Sequence, residues 1–297
     1  MRILHLDAGR EMRGGQWQVL RLVEGLAAAG IESTLLARPA APLFELARKS
    51  CWRVEPLGLT RAVMLARKHD LIHAHDARTH TLGAIVRAAP LVVSRRVMFP
   101  VGSRWKYGRA RRYLAVSDFV KRVLMAGGVP EEKISVVYDG VPVLESQPGS
   151  VILAPANAGD PQKGAPLAME AARLAGETIE LSTDLERDLR RAAAFVYITH
   201  SEGLGSGVLL AMSAGVPVVA SNVGGLPEVI RHRENGLLVD NVAAEIAAAI
   251  RELRDDPGMA RRLGAAGRHT VIERFTVDHM VRRTIEVYRQ VMTFAER

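Results

Sequence analysis

Short apolar runs alternate with segments of helical periodicity along almost the whole chain, and this alternation restricts the fold more than any other feature. The chain opens with an apolar run at residues 2–6, a polar loop at residues 7–15 and a helical segment at residues 16–29. Similar units follow, at the spacing typical of strand–helix–strand repeats. The pattern predicts a doubly wound parallel sheet, whose ligands bind beyond the carboxyl ends of its strands.

The length and one polar segment predict two domains. The 297 residues exceed the roughly 100 to 200 residues of a usual domain. Residues 144–150 are polar, contain Pro148 and Gly149, and separate a first series of strands and helices from a second. We expect one domain over residues 1–147 and another over residues 148–279, with a last helix at about 280–297 that packs back onto the first. The second domain is shortened, because only one strand fits between the helix ending near Leu174 and the helix predicted at residues 184–193.

Cysteine content and the N-terminal residues favour a cytoplasmic protein. Cys51 is the only cysteine, so the chain cannot form an internal disulfide. His5 and Asp7 interrupt the first apolar run, unlike the core of a signal peptide. No run of eighteen apolar residues predicts a helix that spans a bilayer.

A basic stretch at residues 78–112 contains nine lysines and arginines and no acidic residue. Phe99, Trp105 and Tyr107 are interleaved with these cations. Anionic lipid head groups and the phosphates of an acceptor are partners that such charge attracts, and a solvated loop is the alternative. Because no helix-turn-helix, zinc-finger or RNA-binding aromatic signature accompanies the stretch, we expect no nucleic-acid partner.

Glycines mark a predicted strand-to-helix turn within residues 201–227. Gly203, Gly205 and Gly207 allow close approach of the backbone, and successive N–H groups at a helix start can hold phosphate oxygens. Glu202, at the end of the strand, is placed to reach a sugar hydroxyl or a developing positive charge. Glycines at such a turn also form purely structural corners, so this pattern alone leaves both interpretations open.

The residues around this turn make the pattern specific. The chain has AM at 211–212, GVPVV at 215–219 and GGLPE at 224–228, with HLDAGREMRGGQ and DLIHAHD earlier in the chain, DPQKG in the second half and ENGLLV near the end. With these motifs the chain resembles, nearly end to end, the retaining nucleotide-sugar glycosyltransferases of glycosyltransferase family 4. The resemblance implies the GT-B fold, in which two Rossmann-like doubly wound domains face a cleft.

The resemblance also implies roles for individual residues. Lys163 would place its ammonium group on the donor diphosphate and Glu202 would contact the sugar. His75 resembles the histidine that hydrogen-bonds the transferred sugar, and His80 is the alternative. The implied donor-binding positions are Gly14, Gly15, Gly203, Leu204, Gly205, Ser206 and Leu210.

The implied reaction is the transfer of a hexose-type sugar from a nucleotide-diphosphate donor to an acceptor with retention, without metal or other cofactor. The basic stretch favours an anionic or lipid-linked acceptor, such as a lipopolysaccharide-type glycan. We therefore expect a role in cell-envelope glycan biosynthesis and a peripheral position at the inner face of the membrane.

Three features depart from the family pattern. Leu210 occupies the position of the second motif glutamate, a ribose-binding partner, and Ala158 stands where many members have an arginine. The short stretch at residues 176–183 omits a strand and loop that help to hold the base. These features favour the alternative of a catalytically impaired protein that binds a nucleotide, a glycan or a partner enzyme. An NAD-dependent enzyme is disfavoured, because no G-x-G-x-x-G with an acidic residue about 20 positions later follows the first strand.

Overall fold

The computed structural model describes residues 1–293 except Cys51, Ser146, Pro148 and residues 157–163. Contacts divide the chain into two compact units, Met1–Asp139 with Val277–Arg297, and Gly140–Thr276. The boundary falls after Asp139 and not at 147/148, because Val141 pairs within the second unit. Its N–H donates to the carbonyl of Phe275 at 2.9 Å, and it forms an isolated parallel bridge with Thr276.

The first unit is built on a seven-stranded parallel sheet. Along the chain its strands are β1 (Arg2–Asp7), β2 (Glu32–Ala37), β3 (Arg53–Pro56), β4 (Leu71–Ala74), β5 (Leu91–Arg95), β6 (Arg112–Ala115) and β7 (Ile134–Val136). They lie in the order β3-β2-β1-β4-β5-β6-β7. The central strands β1, β4 and β5 are buried almost throughout, as expected for parallel strands covered by helices on both faces.

Seven helices cover this sheet among the described residues. Six precede the unit boundary and one returns from the end of the chain: α1 (Gly14–Ala28), α2 (Pro42–Lys49), α3 (Leu59–Ala66), α4 (Ala77–Val86), α5 (Arg104–Gly108), α6 (Asp118–Ala126) and α13 (Val277–Thr293). Ser117 caps α6, because its hydroxyl accepts the N–H of Val120 at 3.1 Å.

The second unit is built on a five-stranded parallel sheet. Its strands are β8 (Val151–Pro155), β9 (Ile179–Ser182), β10 (Ala192–Tyr197), β11 (Val218–Ser221) and β12 (Leu237–Val239), in the order β12-β11-β10-β8-β9. The helices are α7 (Ala165–Ala175), α8 (Leu185–Asp188), α9 (Ser206–Ser213), α10 (Leu226–Val229), α11 (Ala243–Asp255) and α12 (Pro257–Arg274). As predicted, one strand, β9, lies between α7 and α8, and the sheet has fewer strands than the first.

One predicted helix is wrong and three short elements were not predicted. Residues 184–193 form α8 and a single 3-10 turn, Leu189–Arg191, and β10 already begins at Ala192. The alanines at 192–194 favour a helix locally, but pairing with β8 decides their conformation. The unpredicted elements are β3, α3 and α5, which are only four to eight residues long.

The chain order reverses once in each sheet, and these reversals locate the candidate site. In the first sheet the reversal lies between β1 and β4, and in the second between β8 and β10. At such a point the loops that leave the two neighbouring strands run in opposite directions and open a crevice at the carboxyl edge. The loops after β1 and β4, and those after β8 and β10, are therefore where each unit can bind a ligand.

Helix α13 closes the core of the first unit. Met280, Val281 and Tyr288 pack with Ile3 and Leu22 in one apolar cluster. Within this cluster the Tyr288 hydroxyl lies 2.6 Å from Nδ1 of His73, and both residues are fully buried. The hydrogen bond therefore joins α13 to the centre of the sheet.

We expect Tyr288→Phe to lower the free energy of unfolding of the first unit by about 1 to 3 kcal/mol, because His73 Nδ1 then stays buried without a partner. All three tryptophans, Trp17, Trp52 and Trp105, belong to this unit, so urea denaturation followed by tryptophan fluorescence reports its unfolding. Tyr138→Phe is the control, because its hydroxyl makes an exposed bond of 3.4 Å to Asp118. Equal losses of unfolding free energy in the two variants would show that the buried hydrogen bond to His73 does not stabilise the first unit.

Candidate functional site

The second unit holds Glu202 firmly at the carboxyl end of β10. The carboxylate accepts hydrogen bonds from the Tyr197 hydroxyl and from the backbone N–H of Gly203, the latter at 3.0 Å. Glu202 itself is half-buried, whereas Gly203, Leu204 and Gly205 are buried. Two donors on one carboxylate fix its orientation without neutralising its charge.

A hydrogen-bonded network behind the loop fixes the backbone that carries Glu202. The N–H of Thr199 donates to the Ser221 hydroxyl at 2.9 Å, and that hydroxyl donates to Oδ1 of Asn241 at 2.6 Å. Asn241 closes the network by donating through Nδ2 to the Thr199 carbonyl at 2.9 Å. The ends of β10 and β11 and the start of the segment after β12 are thereby tied together at the carboxyl edge.

Two glycines are required for this loop geometry. Gly205 has a φ of +98°, a conformation that L side chains rarely adopt. Gly225, from the GGLPE motif, packs so closely that an added Cβ would lie 2.1 Å from the Gly203 carbonyl oxygen. Its N–H donates to the Glu202 carbonyl at 3.2 Å. The two motifs therefore form one packed structure around Glu202.

The N-terminus of α9 lies directly after this loop and has no side-chain cap. The capping position is Gly205, which offers no side-chain oxygen, and the first intrahelical bond runs from Leu209 to the Gly205 carbonyl. Ser206 and Gly207 in the first turn are half-buried. An uncapped N-terminus with a positive helix dipole favours an anion, most strongly a phosphate.

Leu210 lies on the same face of α9 as Ser206, because residues four apart share a helix face. Its side chain is 8% exposed and carries no hydrogen-bond acceptor. A glutamate at this position would stand one turn beyond the uncapped N-terminus. The structure therefore puts the departure from the family pattern one turn from the uncapped N-terminus of α9.

Lys163 and Ala158 lie outside the described residues. Gly164, the next described residue, is fixed at the end of β10, where its N–H donates to the Ile198 carbonyl at 2.8 Å. An added Cβ at Gly164 would lie 2.5 Å from the Ile198 side chain. Gly164, which directly follows the predicted phosphate-binding lysine in the sequence, therefore packs against the residue after β10.

In the first unit, two carboxylates hold the loop after β1. Asp7 accepts the N–H of Gly9 at 2.8 Å and the side-chain amide of Gln16 at 3.1 Å, and burial raises the pKa of its carboxyl group. Asp76 caps α4 and also accepts the N–H of Ala8 at 2.7 Å. The loop is thereby joined to the end of β4, across the reversal of the sheet.

The sequence predicted that Gly14 and Gly15 belong to the loop after β1. In the structure both lie in the first turn of α1. The capping residue Arg13 makes no side-chain hydrogen bond to the helix, so this N-terminus is also uncapped. The donor-binding role of both glycines stays a prediction. Any such role would act through backbone N–H groups at a helix start.

His75 directly follows β4 and belongs to a buried group of three histidines with His5 and His73. His5 Nδ1 lies 3.0 Å from His75 Nε2, and His5 Nε2 lies 3.3 Å from the Ser33 hydroxyl. His73 is held by Tyr288 and by the Ser94 hydroxyl, 2.8 Å from its Nε2. Burial lowers the pKa of His5 to about 3 and the pKa of His75 well below its ordinary value, so these imidazoles are neutral.

Three histidines with ligand atoms within 4.8 Å of one another have the residue types of a metal site. Five of their six ring nitrogens, however, already have hydrogen-bond partners within the first unit. Among the described residues, the sixth, Nδ1 of His75, has none. The arrangement is that of a hydrogen-bonded cluster, and we assign it no metal.

His80 lies in a different environment from His75. It packs edge-on against Tyr107 and Tyr113, with ring centroids 4.9 and 5.7 Å away, and burial lowers its pKa to about 3. His75 instead stands at the carboxyl edge, at the point where the strand order reverses. This placement favours His75 over His80 as the ligand-binding histidine.

Two family models match the chain. Glycosyltransferase Family 4 matches residues 12–143, and Glycosyl transferases group 1 matches residues 177–270. Each match falls largely within one of the two compact units, and together they cover about three quarters of the chain.

Similar proteins of known name match shorter segments. Alpha-maltose-1-phosphate synthase of Mycolicibacterium smegmatis is 42% identical over 110 residues, which are 35% of this chain and 28% of that protein. The GDP-mannose-dependent alpha-(1-6)-phosphatidylinositol monomannoside mannosyltransferase of Mycobacterium tuberculosis is 40% identical over 89 residues, 30% of this chain and 23% of that protein. The chain thus spans about a quarter of the length of the curated relatives it matches.

The fold agrees with a solved structure over nearly the whole chain. Anabaena HepE in complex with UDP-glucose matches 98% of this chain and 100% of that chain, with a TM-score of 0.86 and 17% identity. Among the described residues, no helix combines the length and the apolar character needed to cross a membrane. From the two family models and the two parallel-sheet units, we conclude that the chain belongs to the family 4, group 1 glycosyltransferases and has the GT-B fold.

Proposed function

We propose that the chain transfers a hexose-type sugar from a nucleotide-diphosphate donor to an acceptor, with retention at the anomeric carbon. The observation that carries this proposal is the arrangement of residues 198–205, the loop between β10 and α9 that contains Glu202. A charged carboxylate, held by Tyr197 and Gly203, directly precedes an uncapped helix N-terminus. A negative group for the sugar and a positive helix end for its phosphate are the complementary parts that a glycosyl phosphate requires.

Each part contributes a different kind of stabilisation. The first-turn N–H groups of α9 and the ammonium group of Lys163 stabilise negative charge on the departing diphosphate. Glu202 stabilises the positive charge that develops on the sugar ring as the glycosidic bond breaks. His75 hydrogen-bonds the transferred sugar. Retention rests on the family resemblance, in which the leaving phosphate itself assists the incoming hydroxyl, and we assign no general base and no metal.

The nucleotide base of the donor has to be identified by titration, because the similar proteins are named with different nucleotides. The solved HepE structure contains UDP-glucose, and the mycobacterial mannosyltransferase is GDP-mannose-dependent. Leu210 supplies no acceptor for the ribose hydroxyls, so the affinity is expected to be weaker than with a glutamate at this position. A charged hydrogen bond typically contributes about 1.5 to 3 kcal/mol, which corresponds to one or two orders of magnitude in Kd.

Calorimetric titration with UDP, GDP and ADP, without added metal, tests the donor site. We expect one nucleotide to bind, and Leu210→Glu to strengthen that binding by about tenfold or more, because the new carboxylate accepts from the ribose. Leu210→Gln is the matched control, since its uncharged amide supports a smaller gain. If none of the three nucleotides binds to either protein, the alternative of a protein that binds a glycan or a partner enzyme replaces the enzymatic proposal.

The Glu202 carboxylate is tested separately from nucleotide binding. We expect Glu202→Gln to lower the rate of UDP or GDP release from the sugar nucleotide by about 10² to 10³, because it removes charge stabilisation present mainly in the transition state. The Kd for the free nucleoside diphosphate should change little. Full turnover in this variant contradicts the assigned role, and Tyr197→Phe, which keeps the charge but removes one donor, is expected to lose less.

Part of the basic stretch at residues 78–112 lines a groove on the first unit. Three cations of this stretch already have hydrogen-bond partners. Arg95 bonds to the Phe99 carbonyl, Arg96 to Asp139 and Lys106 to the Ala77 carbonyl. The groove lies at the amino ends of β5 and β6, away from the edge that carries His75. Its lining includes Arg87, Arg104, Arg109, Arg111 and Trp105.

We propose that this groove contacts anionic head groups, so that the protein works peripherally at the inner face of the membrane on a lipid-linked acceptor of the cell envelope. Trp105 is 50% exposed, and the Arg109 guanidinium lies 4.8 Å from the centre of its ring. Phe99, 59% exposed, adds apolar surface nearby in the chain. Exposed aromatic side chains among arginines are typical of surfaces at the level of lipid head groups.

Sedimentation with phosphatidylcholine vesicles, with and without phosphatidylglycerol, tests the groove. We expect binding only to the anionic vesicles, and Arg104→Ala with Arg109→Ala to weaken it at least tenfold, since each basic residue contributes about 1 kcal/mol. Arg261→Ala with Arg282→Ala removes the same charge at exposed positions outside the groove and is the control. Equal binding to both vesicle types, or equal loss in the two double variants, contradicts this contact.

A further inference from the structure

A row of hydrogen bonds runs behind His75 in the first unit. It begins at the Ser33 hydroxyl on β2, passes through both ring nitrogens of His5 on β1, and reaches Nε2 of His75 after β4. The His5 and His75 rings are inclined by only 13°, with centroids 5.3 Å apart. With nitrogens at 3.0 Å, this separation means that the rings meet edge to edge in one plane, as in an imidazole–imidazole hydrogen bond.

Both imidazoles in the row are neutral, because burial disfavours the charged form. His5 is 0% exposed and His75 is 7% exposed. A neutral imidazole has one N–H and one acceptor nitrogen, so each ring in the row passes on the direction of the bond that it receives. The bond between Ser33 and His5 therefore determines which nitrogen of His75 carries the proton.

The row of hydrogen bonds ends at the His75 ring, whose second nitrogen is not used by it. Nδ1 of His75 is buried and has no hydrogen-bond partner among the described residues. Buried polar atoms are nearly always paired, by protein, water or ligand. An unpaired ring nitrogen at the carboxyl edge, where the strand order reverses, is therefore placed for a polar group of a bound ligand.

We propose that His5 is a positioning residue for His75. Together with Ser33 it holds the His75 ring in one plane and in one tautomer, so that Nδ1 meets a ligand hydroxyl with a fixed hydrogen-bonding role. His73 is not part of the row, because its two nitrogens are taken by Tyr288 and Ser94. That the ligand is the transferred sugar rests on the proposed function, whereas the single tautomer does not.

The tautomer can be read directly by long-range ¹H–¹⁵N spectra of protein labelled with ¹⁵N-histidine, without any ligand. His75 signals are assigned by their loss in His75→Gln. We expect one pyrrole-type and one pyridine-type nitrogen for His75 in the native protein, and shifts moved towards the average of the two in His5→Phe. Ser33→Ala, at a half-buried position, gives a second test if the phenylalanine variant does not fold.

Two controls make the result specific. His69→Phe removes another histidine of the first unit, one that bonds to Thr34 and Leu65, and should leave the His75 signals in place. Tryptophan fluorescence reports the fold of every variant. Unchanged His75 shifts in a folded His5→Phe or Ser33→Ala protein overturn the proposal. One equivalent of zinc in the purified protein, lost in His5→Phe, also overturns it in favour of a metal site.

A second arm separates this inference from the proposed function. UDP-glucose or GDP-mannose is added to the labelled native protein, and the His75 nitrogens are followed. A shift of Nδ1 on addition of donor supports the sugar contact, and we then expect His5→Phe to lower the rate constant of nucleotide release about tenfold with less effect on the donor KM. A single tautomer without any donor response leaves the row of hydrogen bonds intact and contradicts the assigned contact between His75 and the sugar.

Discussion

Parallel pairing of β1 with β4, and of β8 with β10, is the constraint on which the site residues depend. Leu6 pairs with Ala74 near the ends of β1 and β4, and Leu153 pairs with Phe195 in the second sheet. Because parallel strands end at the same edge, these pairings bring segments distant in sequence together. Asp7 and Asp76, almost seventy residues apart, can therefore hold one loop, and Gly164 can bond to the end of β10.

Both units hold polar side chains in buried or half-buried positions at or near the carboxyl edge of the sheet, where an unpaired polar group costs stability. In the second unit the solution is a charged group, Glu202, with donors on its carboxylate and a hydrogen-bonded network behind its backbone. In the first unit the solution is neutral, because burial keeps His5 and His75 uncharged and the rings satisfy each other. A fixed charge suits a step in which charge develops, and a fixed neutral dipole suits the recognition of a hydroxyl.

The sequence predicted most of the architecture because parallel strands and their helices leave strong local patterns. It also predicted the strand-to-helix turn that follows Glu202, since the backbone needs glycine at Gly205, where φ is positive, and at Gly225, where a Cβ has no room. It failed at residues 192–193, where alanines favour a helix but sheet pairing decides. It did not identify the roles of Tyr197 and His5, because a tyrosine in an apolar strand and a histidine near the N-terminus show their partners only after the strands are paired. Alternate residues on one strand face, His5 with Asp7 and His73 with His75, were the available signal.

Under the proposed function, the leucine at position 210 affects donor affinity more than the chemical step. A ribose contact is made equally in the ground state and in the transition state, so its absence raises the donor concentration required without changing the chemical step. The Glu202 carboxylate differs in kind, because positive charge on the sugar appears only as the bond breaks. Buried glycines, a tyrosine hydroxyl and the network through Asn241 all support that carboxylate or its backbone, whereas Leu210 is a buried apolar side chain of α9. If the proposed function holds, the contacts around Glu202 preserve the group that acts as the glycosidic bond breaks, and the absence of a ribose acceptor at position 210 is a loss that a higher donor concentration offsets.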